Sequence, residues 1–385
     1  MKKVLSIVMA AVMAVTMFAG CNNTANNKEG VLKIGMTGPL TGDAAEYGVA
    51  VKAGIEIAVE EINAAAEKNG GLKIEFQGQD DVADGEKAVS AYNYLKDWGM
   101  QVFIGTVTSG ACNAVAPEAV NDKMFLLTPS ASSLDVAKAG ASTYQMCFTD
   151  PNQGASAAEV VKNKWGNAKI GVIYDSSDDY STGLYEGFMD KAKSLGLNIV
   201  CETSFTSDTK SELSTQVTQC KDKGADLIFL PIYYTEASRI LDYANKIGYK
   251  PQYIGCDGMD GILKVEGFDT KLAEGLALLT PFDANATDDA TKSFVAKFTQ
   301  KMGKEPNQFA ADAYDCVYAV YNACVAAGVK GNETAEQICE MLIQQFNSMT
   351  FDGLTGKGMT WDEEGMISKS PAAVVIKDGI YVPLS

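Results

Sequence analysis

Hydrophobic positions follow two alternating spacings along the chain after residue 30. Val31 to Met36 alternates apolar and polar residues as a strand does, whereas Gly48 to Asn63 carries apolar residues at helical spacing. This strand-then-helix order continues to Leu127. It restarts from Gly154, after a break at Thr149-Asp150-Pro151. Such alternation predicts an α/β protein in which parallel sheets are covered by helices on both faces, in two Rossmann-like lobes.

The last hundred residues depart from this alternation. Helical patterns at 291–302, 308–327 and 333–346 follow a strand at 276–280. Val374 to Val382 is then typical of a hairpin, in which Asp378-Gly379 suits a tight primed turn. A chain of 385 residues is long enough for two or three domains, so these late segments are expected to belong to the two lobes.

The charged residues exclude several classes of function. The formal net charge is −17, which would repel nucleic acid and anionic lipid surfaces. There is no histidine, so nucleophile pairs that use a histidine base and most mixed zinc sites are ruled out. Arg239 is the only arginine, so clustered guanidinium groups cannot bind several phosphates. We expect no enzyme activity, no cofactor, no metal and a small ligand.

The first thirty residues are not predicted to belong to the fold. A cationic start and an apolar run of about 16 residues end just before Cys21, which indicates an export signal over residues 1–20. A membrane-spanning anchor is the alternative, but it needs about 20 apolar residues. The small residues before Cys21 resemble a bacterial lipobox, which implies a diacylated cysteine at the mature N-terminus. Residues 21–30 would then form a polar tether.

Eight further cysteines occur after the lipobox, and none forms a C-x-x-C pair. This spacing argues against a zinc ribbon or a redox motif. Most of them lie among apolar residues, so buried free thiols are expected, although an exported protein would normally favour disulfides.

Three short motifs suggest chemistry but are better explained as loops. Gly353 to Gly358 lacks the glycine spacing of a phosphate loop. Ser207 to Lys210 matches S-x-x-K without its companion motifs. Asp175, Asp178 and Asp179 lack the glycine and the closing glutamate of an EF-hand calcium loop. We interpret all three as loops without catalytic or metal-binding roles.

The residues after the predicted parallel strands point to a binding site, because open α/β sheets bind ligands at the carboxyl ends of their strands. In the first lobe these positions carry Thr108-Ser109-Gly110 and Thr128 to Ser132, which offer hydroxyls and backbone N–H groups for a carboxylate. In the second lobe they carry Asp179-Tyr180, Tyr233-Tyr234 and Asp257, which are acidic and aromatic. Donors on one side and a carboxylate among tyrosines on the other suit a zwitterion.

The chain resembles type I periplasmic binding proteins of the leucine/isoleucine/valine-binding family, the receptors of amino-acid ABC importers. The resemblance covers roughly residues 31 to 370. It rests on these segments in this order: Lys33 to Gly42, Ala58 to Asn63, Gln79 to Asp81, Phe103 to Gly105, Leu127 to Ser132, Asp175 to Tyr180, Tyr233 to Glu236, and Trp361 to Gly365.

The resemblance implies a ligand site shared by both lobes. Its predicted residues are Tyr47, Ser109, Ser130, Ala131, Ser132, Tyr180, Tyr233 and Asp257. Ser109 and Ser132 would bind the ligand carboxylate, and Asp257, which is shorter than the family's usual glutamate, would bind its ammonium. The type member has a tryptophan at the place of Tyr47. Ala83 and Thr108 stand where the family has its disulfide.

The same resemblance implies the lobe boundaries and the partners. Residues 31–150 with 281–355 would form the first lobe and residues 151–280 with 356–385 the second, joined by three crossovers near Asp150, Thr280 and Gly356. Ligand binding would close the lobes by a hinge. We expect a monomer that lies outside the cell membrane, is held there by its lipid, and delivers an aliphatic amino acid to a permease. A sensory domain for an amide or peptide is the alternative function.

Overall fold

The computed structural model describes residues 30–384 and contains two parallel β-sheets with helices on both faces of each. This confirms the predicted fold class. Cys21 and the predicted signal and tether residues up to residue 29 lie outside the described residues. No helix within residues 30–384 is both long and apolar enough to cross a membrane.

The first sheet has five parallel strands in the order β2-β1-β3-β4-β5. Its strands are β1 (Val31–Gly38), β2 (Lys73–Asp80), β3 (Val102–Ile104), β4 (Phe125–Thr128) and β5 (Thr143–Gln145). The helices between them are α1 (Ala45–Asn69), α2 (Gly85–Trp98), α3 (Ser109–Asn121) and α4 (Leu134–Lys138).

The second sheet has seven strands in the order β12-β11-β10-β9-β8-β6-β7, of which β6 to β10 run parallel to one another. Its strands are β6 (Lys169–Asp175), β7 (Asn198–Phe205), β8 (Leu227–Leu230), β9 (Gln252–Gly255), β10 (Ala277–Thr280), β11 (Ala372–Lys377) and β12 (Ile380–Pro383). The helices are α5 (Asp150–Trp165), α6 (Asp179–Leu195), α7 (Ser214–Asp222) and α8 (Tyr234–Lys246).

The C-terminal hairpin forms as the sequence predicts. Strands β11 and β12 pair antiparallel and add to the edge of the second sheet at β10. Asp378 and Gly379, between them, have φ of 53° and 77°, which is the left-handed backbone that a primed two-residue turn needs. Aspartate tolerates this region and glycine adopts it without a steric penalty.

The three late helices return to the first lobe. They are α9 (Asp289–Met302), α10 (Gln308–Ala327) and α11 (Ala335–Phe346). Helix α10 packs on α1, and α11 packs on β4. The next segment also contacts this lobe, because Trp361 Nε1 donates to the Gln145 carbonyl (2.8 Å) and Gln145 N donates to the Gly365 carbonyl (2.9 Å). We therefore propose that the third crossover lies just before β11 and not at Gly356.

Two local differences from the prediction have clear causes. Helix α5 begins at Asp150, four residues before the expected start at Gly154, because Pro151 occupies the first turn, where a missing N–H costs nothing. Strand β5 and helix α4 were not predicted, since segments of three and five residues are too short to show a periodicity. The earlier start of α5 places the Asp150 side chain against Gly183 of α6, where a Cβ would lie 2.8 Å from Asp150 Oδ2.

Candidate functional site

Six of the eight side chains predicted to bind ligand line one small cavity between the lobes. They are Tyr47, Ser109, Ser130, Tyr180, Tyr233 and Asp257. Each follows the carboxyl end of a parallel strand, which is why residues more than 200 positions apart meet. The cavity measures about 20 Å³, which is room for one water molecule. Binding an amino acid there therefore requires the lobes to part or the side chains to move.

On the second lobe, Asp257 is held by hydrogen bonds at the end of β9. Tyr180 Oη donates to Asp257 Oδ1 (2.7 Å) and accepts from Gly258 N (2.8 Å). A Cβ at residue 258 would lie 2.6 Å from Tyr180 Oη, so glycine permits this contact. Burial raises the pKa of Asp257 to about 7, although the bond from Tyr180 works against the increase.

A second buried carboxylate, which was not predicted as a ligand, belongs to Asp150 at the start of α5. Its side chain is 1% exposed, and the Ser132 hydroxyl is the neighbouring donor that acts on its carboxylate. Burial raises its pKa well above the usual range, and the charge of Asp257 raises it further. Neither aspartate has a cationic partner among the described ion pairs. Together they need a cation that the described residues do not supply.

The first lobe supplies donors and no charge at the cavity. Ser109 Oγ accepts from Ser132 N (3.1 Å) and Ser133 N (3.2 Å), which leaves its proton free to be donated. Thr108, the residue before α3, is buried, and its hydroxyl has no partner among the described residues. These hydroxyls lie at a helix N-terminus, where the backbone N–H groups also favour an anion.

The structure separates the three residues predicted in the loop after β4. Ser130 lines the cavity, and its Oγ donates to the Val107 carbonyl (2.7 Å). Ala131 and Ser132 are not among the cavity-lining residues. The Ala131 carbonyl accepts from Gln145 Nε2 (2.7 Å), so it is already used within the lobe. Ser132 is fully buried, and its hydroxyl lies close enough to the Asp150 carboxylate to lower the pKa of that group.

Aromatic rings form the remaining wall. Tyr180 and Tyr233 are stacked with ring centroids 4.9 Å apart, and Tyr47 meets Tyr233 at 5.6 Å and Phe309 at 4.7 Å. Phe309 is on α10 and was not predicted, because a phenylalanine on the apolar face of a helix gives no functional signal. Val107 and Gly258 also line the cavity without having been predicted.

A larger cavity of about 430 Å³ adjoins the small one. The two share Thr108 and Tyr233. Its other walls combine apolar and charged side chains: Val82, Phe205, Ile232, Asp43, Asp175, Asp178, Lys210 and Glu236. A side chain that projects from a ligand in the small cavity would therefore meet a roomier space. A separate cavity of about 200 Å³, near Phe282 and Tyr381, contains none of the predicted ligand residues.

Hydrogen bonds across the cleft show that the lobes are closed. Tyr47 Oη donates to the Gly258 carbonyl, and Asn113 Nδ2 donates to Asp179 Oδ2 (2.7 Å). At the mouth of the cleft, Lys210 Nζ lies 3.2 Å from the Asp43 carboxylate.

The three motifs interpreted as loops have their polar groups in use, and in one of them Ser207 N donates to Ser177 Oγ and Lys210 pairs with Asp43. Asp315 accepts hydrogen bonds from the backbone of Leu354 and Thr355, so the Gly353 to Gly358 loop already binds a carboxylate. Asp178 accepts from Ser181 N as the cap of α6, which makes its carboxylate part of the fold. Residues 30–384 contain no group of three histidine, cysteine, aspartate or glutamate side chains arranged for a metal.

Comparison with known families agrees with this architecture. The model of the periplasmic binding protein family matches residues 31–379. The chain belongs to the periplasmic binding protein family. Its members are binding proteins, and the family implies a location outside the cytoplasm. The recognition made from sequence motifs and the expected substrate-binding role in ABC import are confirmed.

Individual relatives cover most of the chain. The Leu/Ile/Val-binding protein of Escherichia coli K12 is 26% identical over 340 residues, which are 87% of each chain. The leucine-binding protein LivK of Thermotoga maritima superposes with a TM-score of 0.82 and 28% identity, covering 92% of this chain and 98% of its own. The LivJ protein of Streptococcus pneumoniae, solved in complex with isoleucine, has a TM-score of 0.81 and 27% identity over 91% and 97% of the two chains.

Proposed function

We propose that this chain binds a free L-amino acid with an aliphatic side chain, leucine, isoleucine or valine first, and delivers it to an ABC importer. The observation that carries this proposal is the buried carboxylate of Asp257, which lines the cavity and, like the nearby carboxylate of Asp150, has no cationic partner among the described ion pairs. An ammonium group supplies both the charge and the donors that these carboxylates lack. The names of the relatives from Escherichia coli and Streptococcus pneumoniae support the same class of ligand.

The first lobe would bind the other end of the ligand. The hydroxyls of Thr108 and Ser109 and the N-terminus of α3 suit a carboxylate, which no arginine reaches here. Thr108, Ser109 and Asp257 line the same small cavity, which suits a molecule whose ammonium and carboxylate lie close together. Tyr47, Tyr180 and Tyr233 would surround the carbon that carries both groups, and the ligand side chain would extend toward the larger cavity.

Calorimetry with each of the twenty amino acids tests the proposal. Aliphatic amino acids are expected to bind tightly, and their amides and deaminated acids are not, because each lacks one of the two charges. Lysine is the critical comparison, because the larger cavity is lined by the carboxylates of Asp178 and Glu236, and lysine binding tighter than leucine would contradict an aliphatic ligand. Tight binding of a sugar or peptide, with no amino acid bound, would contradict the proposal.

We further propose that the protein is a monomeric lipoprotein anchored by a diacylated Cys21 after removal of residues 1–20. Two lysines, an apolar run and small residues before Cys21 support this proposal. Intact-mass measurement on the membrane fraction is expected to give a chain that starts at Cys21 and carries the acyl mass. A different start without acyl mass would contradict it.

A further inference from the structure

Two cysteines of the second lobe lie in direct contact. Cys201 is in β7 and Cys220 is in α7, and their sulfurs are 3.2 Å apart. Both side chains are buried, with 8% and 0% of their surface exposed. All eight described cysteines are buried and unbonded, as the sequence predicts. Among them, Cys201 and Cys220 are the pair whose sulfurs are in hydrogen-bonding contact.

The neighbouring contacts hold the two cysteines at this distance. Thr203 Oγ1 donates to Gln219 Oε1 (2.6 Å), next to Cys220, and Gln216 Nε2 donates to the Ser204 carbonyl (2.9 Å). These bonds fix α7 on β7 in one register. On the adjacent strand, a Cβ at Gly171 would lie 2.9 Å from Cys220 Sγ, so a glycine there makes room for the sulfur.

We propose that Cys201 and Cys220 form a disulfide in the exported protein. A disulfide needs the sulfurs at about 2.05 Å, so they must approach by about 1 Å, which side-chain rotation can supply. The two thiols lose their protons and two electrons to an external disulfide, such as that of an extracytoplasmic thiol oxidant. The products are the Cys201–Cys220 bond and two thiols of the reduced oxidant. A shared metal is not the alternative, because residues 30–384 bring no third ligand to the pair.

The reaction would take place before the second lobe finishes folding. Burial raises the pKa of the Cys220 thiol, and thiolates are the reacting form, so exchange in the folded protein is slow. Once formed, the same burial protects the bond from reductants. The closed loop contains Ser207 and Lys210, which line the larger cavity. The disulfide would therefore fix the segment that reaches across the cleft to Asp43.

Peptide mass spectrometry of the exported protein tests the proposal, with free thiols alkylated in denaturant and no reductant added. Trypsin cuts after Lys193, Lys210 and Lys221, so the disulfide would join peptides 194–210 and 211–221, two hydrogen masses lighter than their sum. This linked pair is the expected result. Complete alkylation of both cysteines, or either one bonded to a different cysteine, would overturn the proposal.

Thermal unfolding gives an independent measurement when the exported protein is compared with protein that was reduced in denaturant and refolded with a reductant present. A disulfide that closes a loop of this length stabilises by constraining the unfolded chain, so reduction is expected to lower Tm by several degrees. The double variant Cys201→Ala/Cys220→Ala should lose this sensitivity to reductant, whereas Cys316→Ala, a buried cysteine in α10, should keep it. An equal response to reductant in the wild type and the double variant would contradict the proposal. This holds even if the double variant and Cys316→Ala are both less stable than the wild type.

Discussion

The two lobes have similar parallel sheets but present opposite chemistry to the cleft. The first lobe offers uncharged donors, with hydroxyls at the start of α3. Some of its polar groups already bond within the lobe, as Ser130 Oγ does to the Val107 carbonyl and Ser132 N does to Ser109 Oγ. The second lobe offers the buried carboxylate of Asp257, whose charge acts on nearby Asp150, and the rings of Tyr180 and Tyr233. Groups that are charged and uncompensated contribute more to recognition than neutral donors do. The lobes should therefore differ in how much binding each one loses on substitution.

The largest effect is expected from Asp257→Asn. The amide keeps the shape of the side chain but removes the charge that faces the ligand ammonium. Losing one partner of a desolvated charge pair costs about 2 to 5 kcal/mol, or roughly 30-fold to several thousand-fold in affinity. Calorimetry with the best wild-type ligand measures the loss.

A matched control is Asp315→Asn. Asp315 is as deeply buried, but it binds the backbone of Leu354 and Thr355 and lies in neither cleft cavity. It is expected to lower stability and leave affinity unchanged, as long as circular dichroism shows a folded protein. Equal affinities of the two variants would mean that Asp257 does not contact the ligand.

Lower pH should weaken binding by the next largest amount. In the closed structure without ligand, burial raises the pKa of Asp257 to about 7, and Asp257 faces Tyr180, Gln153 and the nearby carboxylates of Asp150 and Asp312. An ammonium ligand favours the charged form, so binding must release a proton when Asp257 starts out protonated. Affinity is then lost as pH falls below about 7, by up to about tenfold per pH unit.

Calorimetry at pH 5 to 8, in buffers with different enthalpies of ionisation, measures both affinity and proton release. The slope should become shallower in Asp257→Asn, where Asp150 is left as the titrating acid. A wild-type affinity that is constant between pH 8 and pH 5 would contradict an ammonium bound to Asp257.

The sequence predicted the residues of this site that follow strands and missed those placed by tertiary contacts. Tyr180, Tyr233 and Asp257 come directly after strands, so the rule for open α/β sheets was sufficient. Asp150 was treated as a break between the lobes, because Pro151 hid the helix start behind it. Phe309 reaches the cavity because α10 packs on α1, and periodicity contains no information about that packing.

Thr108→Val should have an intermediate effect on the donor side. The Thr108 hydroxyl has no partner among residues 30–384, so valine removes one potential bond to the ligand carboxylate without breaking a described bond of the fold. A hydrogen bond to a charged group is worth about 1.5 to 3 kcal/mol, which is about 10- to 100-fold in affinity. Thr143→Val is the opposite control, because its hydroxyl bonds the Ala137 and Gly140 carbonyls far from the cavity. Thr143→Val should lower Tm and leave affinity unchanged. An unaltered affinity in Thr108→Val would mean that the Thr108 hydroxyl does not bind the ligand carboxylate.

The smallest effect is expected from a contact that joins the lobes without touching the ligand. Asn113→Ala removes the bond from Asn113 Nδ2 to Asp179 Oδ2 at the exposed rim of the cleft. Exposed polar pairs contribute up to about 1 kcal/mol, so affinity should fall by no more than about fivefold.

Lys123→Ala is the matched control, since its exposed partner Glu336 belongs to the same lobe and cannot affect closure. Small-angle scattering without ligand should show a slightly larger average dimension for Asn113→Ala than for Lys123→Ala. A loss as large as that of Asp257→Asn would instead mean that the rim contacts, and not the buried carboxylates, determine closure around the ligand.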